Sequence, residues 1–280
     1  MTQKASTVTA GWGNGPGRNY EELAANFRPV FERIRQGAVE RELNRTLPHE
    51  PIGWLKDARF GALRVPVEEG GFGATLPQLF ALLAELSQAD SNVTQALRAH
   101  FGFAEDIVNS HSQDRRDRWL PRLARGEIAG SAWTEIGEAK QAAFSTIVKL
   151  RDGKAASVTG AKYYTTGSLF ADWIDIGASG EEGQSLSAVV ARHAPGVDVI
   201  DDWDGFGQIL TASGTTTFAD APVTWALSAR RFTMVEKAAC LASPISVQAL
   251  PAISPLARRG SQRSRRSCEC ELTMSSAKPK

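Results

Sequence analysis

The chain has 280 residues, with 32 Lys and Arg against 31 Asp and Glu; its net charge of +1 excludes bulk attraction to a polyanion such as nucleic acid. A hydrophobic content of 42% and a charged content of 22% fit a globular protein in water, and no apolar run approaches the roughly 18 residues of a membrane helix. Three cysteines are too few, and an odd number, for a disulfide scaffold; with no signal-peptide pattern in the first twenty residues, a cytoplasmic protein is the expectation.

Residues 1–18 are rich in Gly, Thr and Asn and are expected to be disordered. Asn19 with Glu22 has capping-box spacing, and Leu23, Phe27, Phe31, Ile34 and Ala38 would line one face of the helix that follows. Pro51 suits the first turn of a second helix carrying Trp54, Leu55 and Ala58, with Gly61 as its stop. Pro66 and the glycines of Glu68-Glu69-Gly70-Gly71-Phe72-Gly73 predict an irregular connection. Helices are predicted over Pro77–Ala89, with Leu79, Leu82, Leu83 and Leu86 apolar, and over Asn92–Val108. Ser112 caps a further helix bearing Trp119, Leu120 and Leu123 and closing at Gly126. Residues 19–126 therefore read as a helical domain.

From about Ile128 the period changes. Thr146–Leu150 and Ala155–Tyr164 flank Asp152-Gly153, a hairpin signal, and Trp173–Ile176, Leu186–Ala191 and Thr211–Phe218 read as further strands. An antiparallel, barrel-like β domain over residues 127–228 is the expectation, giving an α+β fold. After it the composition breaks. Residues 230–280 hold 10 Lys and Arg against 3 Asp and Glu, all three cysteines and no Trp or Tyr. Pro244, Pro251, Pro255 and the Arg/Ser run 258–267 predict a basic tail of low order over 229–280.

Chemistry is sparse. His49, His100, His111 and His193 are far apart, so no metal site is expected, and no phosphate loop or nucleophile elbow is present. Two segments stand out, Gly130-Ser131-Ala132-Trp133-Thr134-Glu135 and Gly160-Ala161-Lys162-Tyr163-Tyr164-Thr165-Thr166-Gly167-Ser168. Each sets hydroxyls beside an indole or phenol, the surface an isoalloxazine ring needs for its faces and its polar edge. Thr and aromatic residues also simply favour strands, so the residues alone leave both readings open.

Taken in order, these pieces resemble the acyl-CoA dehydrogenase superfamily of flavoproteins. The resemblance rests on Phe60-Gly61-Ala62-Leu63-Arg64-Val65-Pro66-Val67-Glu68-Glu69-Gly70-Gly71-Phe72-Gly73, on Ala132-Trp133-Thr134-Glu135-Ile136 and on Lys162–Ser168. Where the dehydrogenases continue with Gly-Ala-Gly-Ser-Asp, this chain has Gly137-Glu138-Ala139-Lys140-Gln141. Tyr164–Trp173, Ala89–Asn92 with Arg98–Phe101, and Trp203–Gln208 with Thr211–Thr216 are instead similar to the dibenzothiophene and sulfone monooxygenases. That branch implies reduced FMN delivered by a separate flavin reductase, a small-molecule substrate oxygenated at sulfur, nitrogen or carbon, and a homo-oligomer.

The resemblance implies roles for particular residues. Ser131 and Thr165 would hydrogen-bond the flavin or its oxygen adduct, and Trp133, Thr134, Tyr164 and Thr166 would line the ring. His100 would donate to the oxygenated flavin, and Trp203 would wall the substrate pocket; a satisfied helix histidine and a core tryptophan are the alternatives. In that family a helical bundle follows the β domain, and no amphipathic helices follow here. The expectation is a frameshifted or truncated oxidoreductase of impaired activity. An FAD-dependent acyl-CoA dehydrogenase and a non-catalytic interaction module with a basic tail are the other readings.

Overall fold

The computed structural model describes residues 15–136, 144–151 and 154–228. The readings of residues 1–14, of the Asp152-Gly153 turn and of the tail from 229 onward lie outside the described residues.

The chain opens with α1 (Tyr20–Ala25), α2 (Arg28–Gln36), α3 (Ala38–Asn44) and α4 (His49–Asp57). The single helix expected from Asn19 to Ala38 is thus broken twice, at Phe27 and Gly37, and Pro29 stands in the first turn of α2, where its missing N–H costs nothing. Asn19 makes no side-chain cap, contrary to its capping-box spacing. The α4 helix stops at Asp57 rather than Gly61, because Arg59 turns left-handed (φ 55°) and a 3-10 turn over Phe60–Ala62 follows.

Three helices then run as the periodicity predicts: α5 (Leu76–Ala89), α6 (Ser91–Val108) and α7 (Gln113–Ala124). The cap of α5 is a reciprocal box, in which Thr75 Oγ1 accepts from the Gln78 N–H while Gln78 Oε1 accepts from the Thr75 N–H. Thr75→Ala is expected to cost about 1 kcal/mol in urea denaturation, the usual worth of such a cap. Asp90 and Ser112 cap α6 and α7 by the same chemistry, and Gly126, at φ 91°, follows the end of α7.

The helices close over one apolar core. Phe60 lies edge-on to Phe27, which precedes α2, to Phe31 of α2 and to Phe101 of α6, with ring centroids 5.1–5.8 Å apart. A second cluster joins helices to sheet: Trp119 of α7 sits edge-on to Phe103 of α6 and to Trp173, at 5.3 and 5.2 Å.

The strands are β1 (Ala129–Ala132), β2 (Ile147–Arg151), β3 (Lys154–Lys162), β4 (Trp173–Gly180), β5 (Ser185–Ala191), β6 (Val197–Val199), β7 (Thr216–Pro222) and β8 (Trp225–Ser228). They form one sheet in the order β6-β7-β3-β2-β4-β5-β8, with β1 also against β4. The sheet is mixed rather than antiparallel, because β1 and β2 both pair with β4 in parallel, one after the other along the same edge. Beyond β1, Thr134 bridges to Tyr163 just past β3, so β1, β4, β2 and β3 close on one another, the barrel-like feature expected. Among the described residues no helix is long and apolar enough to cross a membrane.

Candidate functional site

The Thr134–Tyr163 bridge, in which the Tyr163 N–H donates to the Thr134 carbonyl at 2.9 Å, sets the two unusual sequence segments side by side. Their flanks are fixed by one half-buried carboxylate. Glu135 accepts from the Lys162 ammonium at 2.6 Å, from the Ser145 N–H and Oγ at 2.7 and 2.8 Å, and from the Thr146 N–H at 2.9 Å. Burial alone would raise the Glu135 pKa, but Lys162 and these donors hold it at about 2, so the group stays ionised. Lys162 also rests 4.0 Å over the Phe144 ring.

Trp133 turns inward. Its indole N–H donates to Asp175 Oδ2 at 2.7 Å, and its ring covers Gly177, where a Cβ would lie 2.6 Å from it. Asp175 also accepts from Ser187, and burial pushes its carboxyl above the usual range. Ser131 is half-buried in β1, its carbonyl accepting from Ser168 Oγ at 3.4 Å, and Thr134 is exposed.

Tyr164 is the aromatic residue this arrangement offers outward. It is 55% exposed, stands at φ 56°, and meets Trp203 edge-on at 6.0 Å. Phe206 and Ile136 are exposed as well. Left-handed backbone at a non-glycine is uncommon, and Tyr164, Gln208 and Ala212 all adopt it around this site (φ 56°, 52° and 47°). Such strain costs of the order of 1–3 kcal/mol per residue and persists only where neighbours enforce it.

The enforcement comes from the segment 200–215, which the helical part holds. Arg45 clamps the Asp201 carboxylate at 2.8 and 2.9 Å and donates to the Trp203 carbonyl at 3.0 Å. Asn92 accepts from the Leu210 N–H while donating to Glu42, and Asp202 accepts from the Thr215 N–H and hydroxyl, both at 2.7 Å. The Trp203 indole N–H donates to the Gln208 carbonyl at 3.2 Å. Residues 211–215 are loop, not the start of the strand expected at Thr211; β7 begins at Thr216. Their hydroxyls are used locally. Thr165 is buried, with its N–H and its hydroxyl both directed at the Gly214 carbonyl and its oxygen 2.8 Å from Thr216 Oγ1. Thr166 lies 2.7 Å from Ser213.

His100 is fully buried on α6, and both ring nitrogens meet backbone. Nε2 is 2.8 Å from the Gly61 carbonyl, so it carries the proton, and Nδ1 accepts from the Ala129 N–H at 3.2 Å. Burial pushes its pKa down to about 4. Gly61 has no side chain because a Cβ would stand 2.7 Å from Nε2. The ring keeps no nitrogen to offer a ligand; it fastens the head of β1, two residues before Ser131, to the helical core.

The structure therefore brings Thr134 beside Tyr163 and Tyr164 against Trp203, with Ser131 in β1, Trp133 just past its end and the Thr166 hydroxyl buried against Ser213. Thr165 and His100 are turned to internal partners. Sequence reasoning missed Arg45 and gave Asn92 and Ser213 only as members of resembling stretches, without a role; no local pattern predicts a tether between distant segments. Among the described residues no group of three or more His, Cys, Asp or Glu could hold a metal ion. A surface with one outward phenol, an indole beside it and hydroxyls along a strand fits one face and the polar edge of an isoalloxazine ring.

Residues 19–127 match the family described as acyl-CoA dehydrogenase, N-terminal domain. The chain is 26% identical over 188 residues to the probable acyl-CoA dehydrogenase FadE10 of Mycobacterium tuberculosis, covering 64% of this chain and 29% of the relative. It is 26% identical over 194 residues to the probable FMNH2-dependent monooxygenase SfnC of Pseudomonas putida (68% and 47%) and 25% identical over 205 residues to a dibenzothiophene monooxygenase of Rhodococcus erythropolis (70% and 48%). KijD3, solved with FMN and a dTDP-linked amino-keto sugar, superposes with a TM-score of 0.68 at 22% identity, covering 79% of this chain and 56% of that one. The likeness to KijD3 shows the shared fold. The chain spans about half the length of the two monooxygenases and under a third of FadE10.

Proposed function

We propose, from the premise that residues 19–127 are an acyl-CoA dehydrogenase N-terminal domain continued by the sheet of that fold, that the chain belongs to a flavin-dependent monooxygenase. It would take reduced FMN from a separate flavin reductase and oxygenate a sulfur, nitrogen or carbon centre of a small molecule. Bound reduced FMN would supply two electrons to dioxygen, one oxygen atom entering the substrate and the other leaving as water. The observation that carries this reading is the Thr134–Tyr163 bridge, which unites the two aromatic and hydroxyl-bearing segments beside the outward Tyr164.

In this reading Ser131, Trp133, Thr134, Tyr164 and Thr166 hold the ring, and Trp203 walls the substrate side. Thr165 and His100 hold the loop and strand that present them. The described residues supply one wall, so affinity is expected to be modest, with Kd no tighter than about micromolar.

Anaerobic titration of the full chain with FMN and with FAD, followed by flavin fluorescence, tests it. FMN is expected to bind, and Tyr164→Ala to weaken it about ten-fold, the worth of one stacked aromatic. The likeness to FadE10 favours a second reading, FAD-dependent dehydrogenation of an acyl thioester. Preference for FAD, with bleaching of the flavin by an acyl-CoA, would establish that one instead.

A further inference from the structure

Helix α3 buries none of its residues, and Val39 and Leu43 on it are exposed. What fastens it is polar. Arg41 donates to the Ile34 carbonyl at 2.7 Å and to Asp90 at 2.9 Å, and Glu42 accepts from Asn92 at 2.9 Å. Arg45, just past its end, reaches 156 residues along the chain to Asp201. Helices in proteins are held mostly by packing an apolar face, and α3 packs none. Its use lies in the side chains it carries.

Arg45 stands at a strained place. It ends α3 in left-handed backbone (φ 48°, ψ 43°), where glycine is the usual residue. Its ion pair with Asp201 offsets little of that strain, since the two side chains are 42% and 33% exposed and such pairs add little to folding. The side chain acts locally instead. The loop after Asp202 is tied to itself: the Trp203 indole N–H donates to the Gln208 carbonyl, and the ring lies so close over Gly205 that a Cβ there would stand 2.1 Å from it. Among the described residues, the bond from Arg45 to the Trp203 carbonyl is the only hydrogen bond that reaches residues 203–207 from outside the segment 200–215.

We infer that Arg45 is a positioning residue of the site: it holds the Trp203 loop, and with it the indole that meets Tyr164 edge-on, while α3 is the strut that carries it. The inference rests on the reading of Trp203 as the wall of the substrate side. Strain at residue 45 is kept because glycine there would relieve the backbone and lose the clamp.

The test compares Arg45→Gly with Arg45→Ala in the full chain labelled with fluorotryptophan, the Trp203 fluorine resonance being assigned by its absence from Trp203→Phe. Both variants lose the clamp, and only the Ala variant keeps the strain. The Gly variant is expected to melt within about 3 °C of the parent, and the Ala variant about 3 °C below the Gly variant. In both, the Trp203 resonance should move by the same amount toward its position in the unfolded chain. With FMN bound, Arg45→Gly should weaken binding of naphthalene, a flat apolar probe, about five-fold, and not at all in a Trp203→Ala background, because its effect runs through that indole. A Trp203 resonance unmoved in the Gly variant, or one that shifts only in proportion to lost stability, shows a merely structural residue and overturns the inference. Equal weakening of naphthalene binding in the two backgrounds overturns it as well. Failure of the parent to bind FMN or naphthalene overturns the flavin reading alone, since the fluorine resonance needs neither and still decides whether Arg45 holds Trp203.

Discussion

His100→Phe is expected to destabilise the chain by about 4 kcal/mol at pH 7 and by only about 1 kcal/mol at pH 4. Phe fills the ring's volume but leaves the buried Gly61 carbonyl and Ala129 N–H without partners, each worth about 1–3 kcal/mol. The pH dependence follows from burial, which lowers the folded pKa of His100 to about 4 from 6.5. Above pH 6.5 the ring is neutral in both states and its contribution is whole. As the pH falls from 6.5 toward 4, the unfolded chain takes up a proton that the folded chain refuses, and about 3 kcal/mol is lost. The Phe variant has no such proton to take up. Urea denaturation of both proteins at the two pH values checks this, since contributions from other groups cancel in the difference. A stability gap that stays constant would show that the ring is not held neutral as described.

Gly167→Val is expected to cost about 4 kcal/mol and to loosen the turn that presents Tyr164. Gly167 stands at φ 78°, and a Cβ there would lie 2.0 Å from the backbone oxygen of Ala96 on α6. Left-handed backbone disfavours a β-branched residue by roughly 1–2 kcal/mol, and the collision adds a shift of turn or helix worth about 1–3 kcal/mol more. Because the Gly167 N–H also donates to the Thr211 carbonyl, the shift reaches the segment that carries Ser213. A thermal melt reads the stability loss. Gly53, inside α4 with open space around it, is the control, and Gly53→Ala should be neutral or stabilising by up to about 1 kcal/mol. Equal effects at the two glycines would refute the packing argument.

The long helices were readable because their signals are local. Pro77, Ser112 and Gly126 mark ends, and the leucines of α5 fall on one face whatever the tertiary fold. The split between α1 and α2 had a signal in Pro29 that the regular spacing of Leu23, Phe27 and Phe31 outweighed. Strand direction has no local signal. The parallel placement of β1 and β2 on β4 depends on a return path through the whole sheet, and the three- and four-residue strands β6, β1 and β8 are too short to show a period. Thr211–Thr215 misled because Thr favours strands, while here its hydroxyls replace ladder bonds. The resemblance names Tyr164 and Thr134 for the flavin and Trp203 for the substrate pocket; the edge-on contact of Trp203 with Tyr164 follows from the tethered segment 200–215 and has no local signal. The inward commitment of Thr165 and His100 could not be read, since a side chain's partners 29 to 51 residues away leave no mark on its own neighbours in sequence.

Glu135 has a consequence for how the protein can change over generations. Its carboxylate grips Ser145 and Thr146, so residues 135 and 145 are fastened together whatever lies between them. Closing a loop costs free energy that grows only slowly with its length, and here the closure is enforced by bonds outside the loop. Insertions or replacements between 137 and 143 can therefore accumulate at little expense to the sheet. That segment holds Gly137-Glu138-Ala139-Lys140-Gln141, where the dehydrogenases the chain resembles carry Gly-Ala-Gly-Ser-Asp. A pinned base carrying a replaceable span allows descendants to try new neighbours for the same site while keeping the scaffold beneath it.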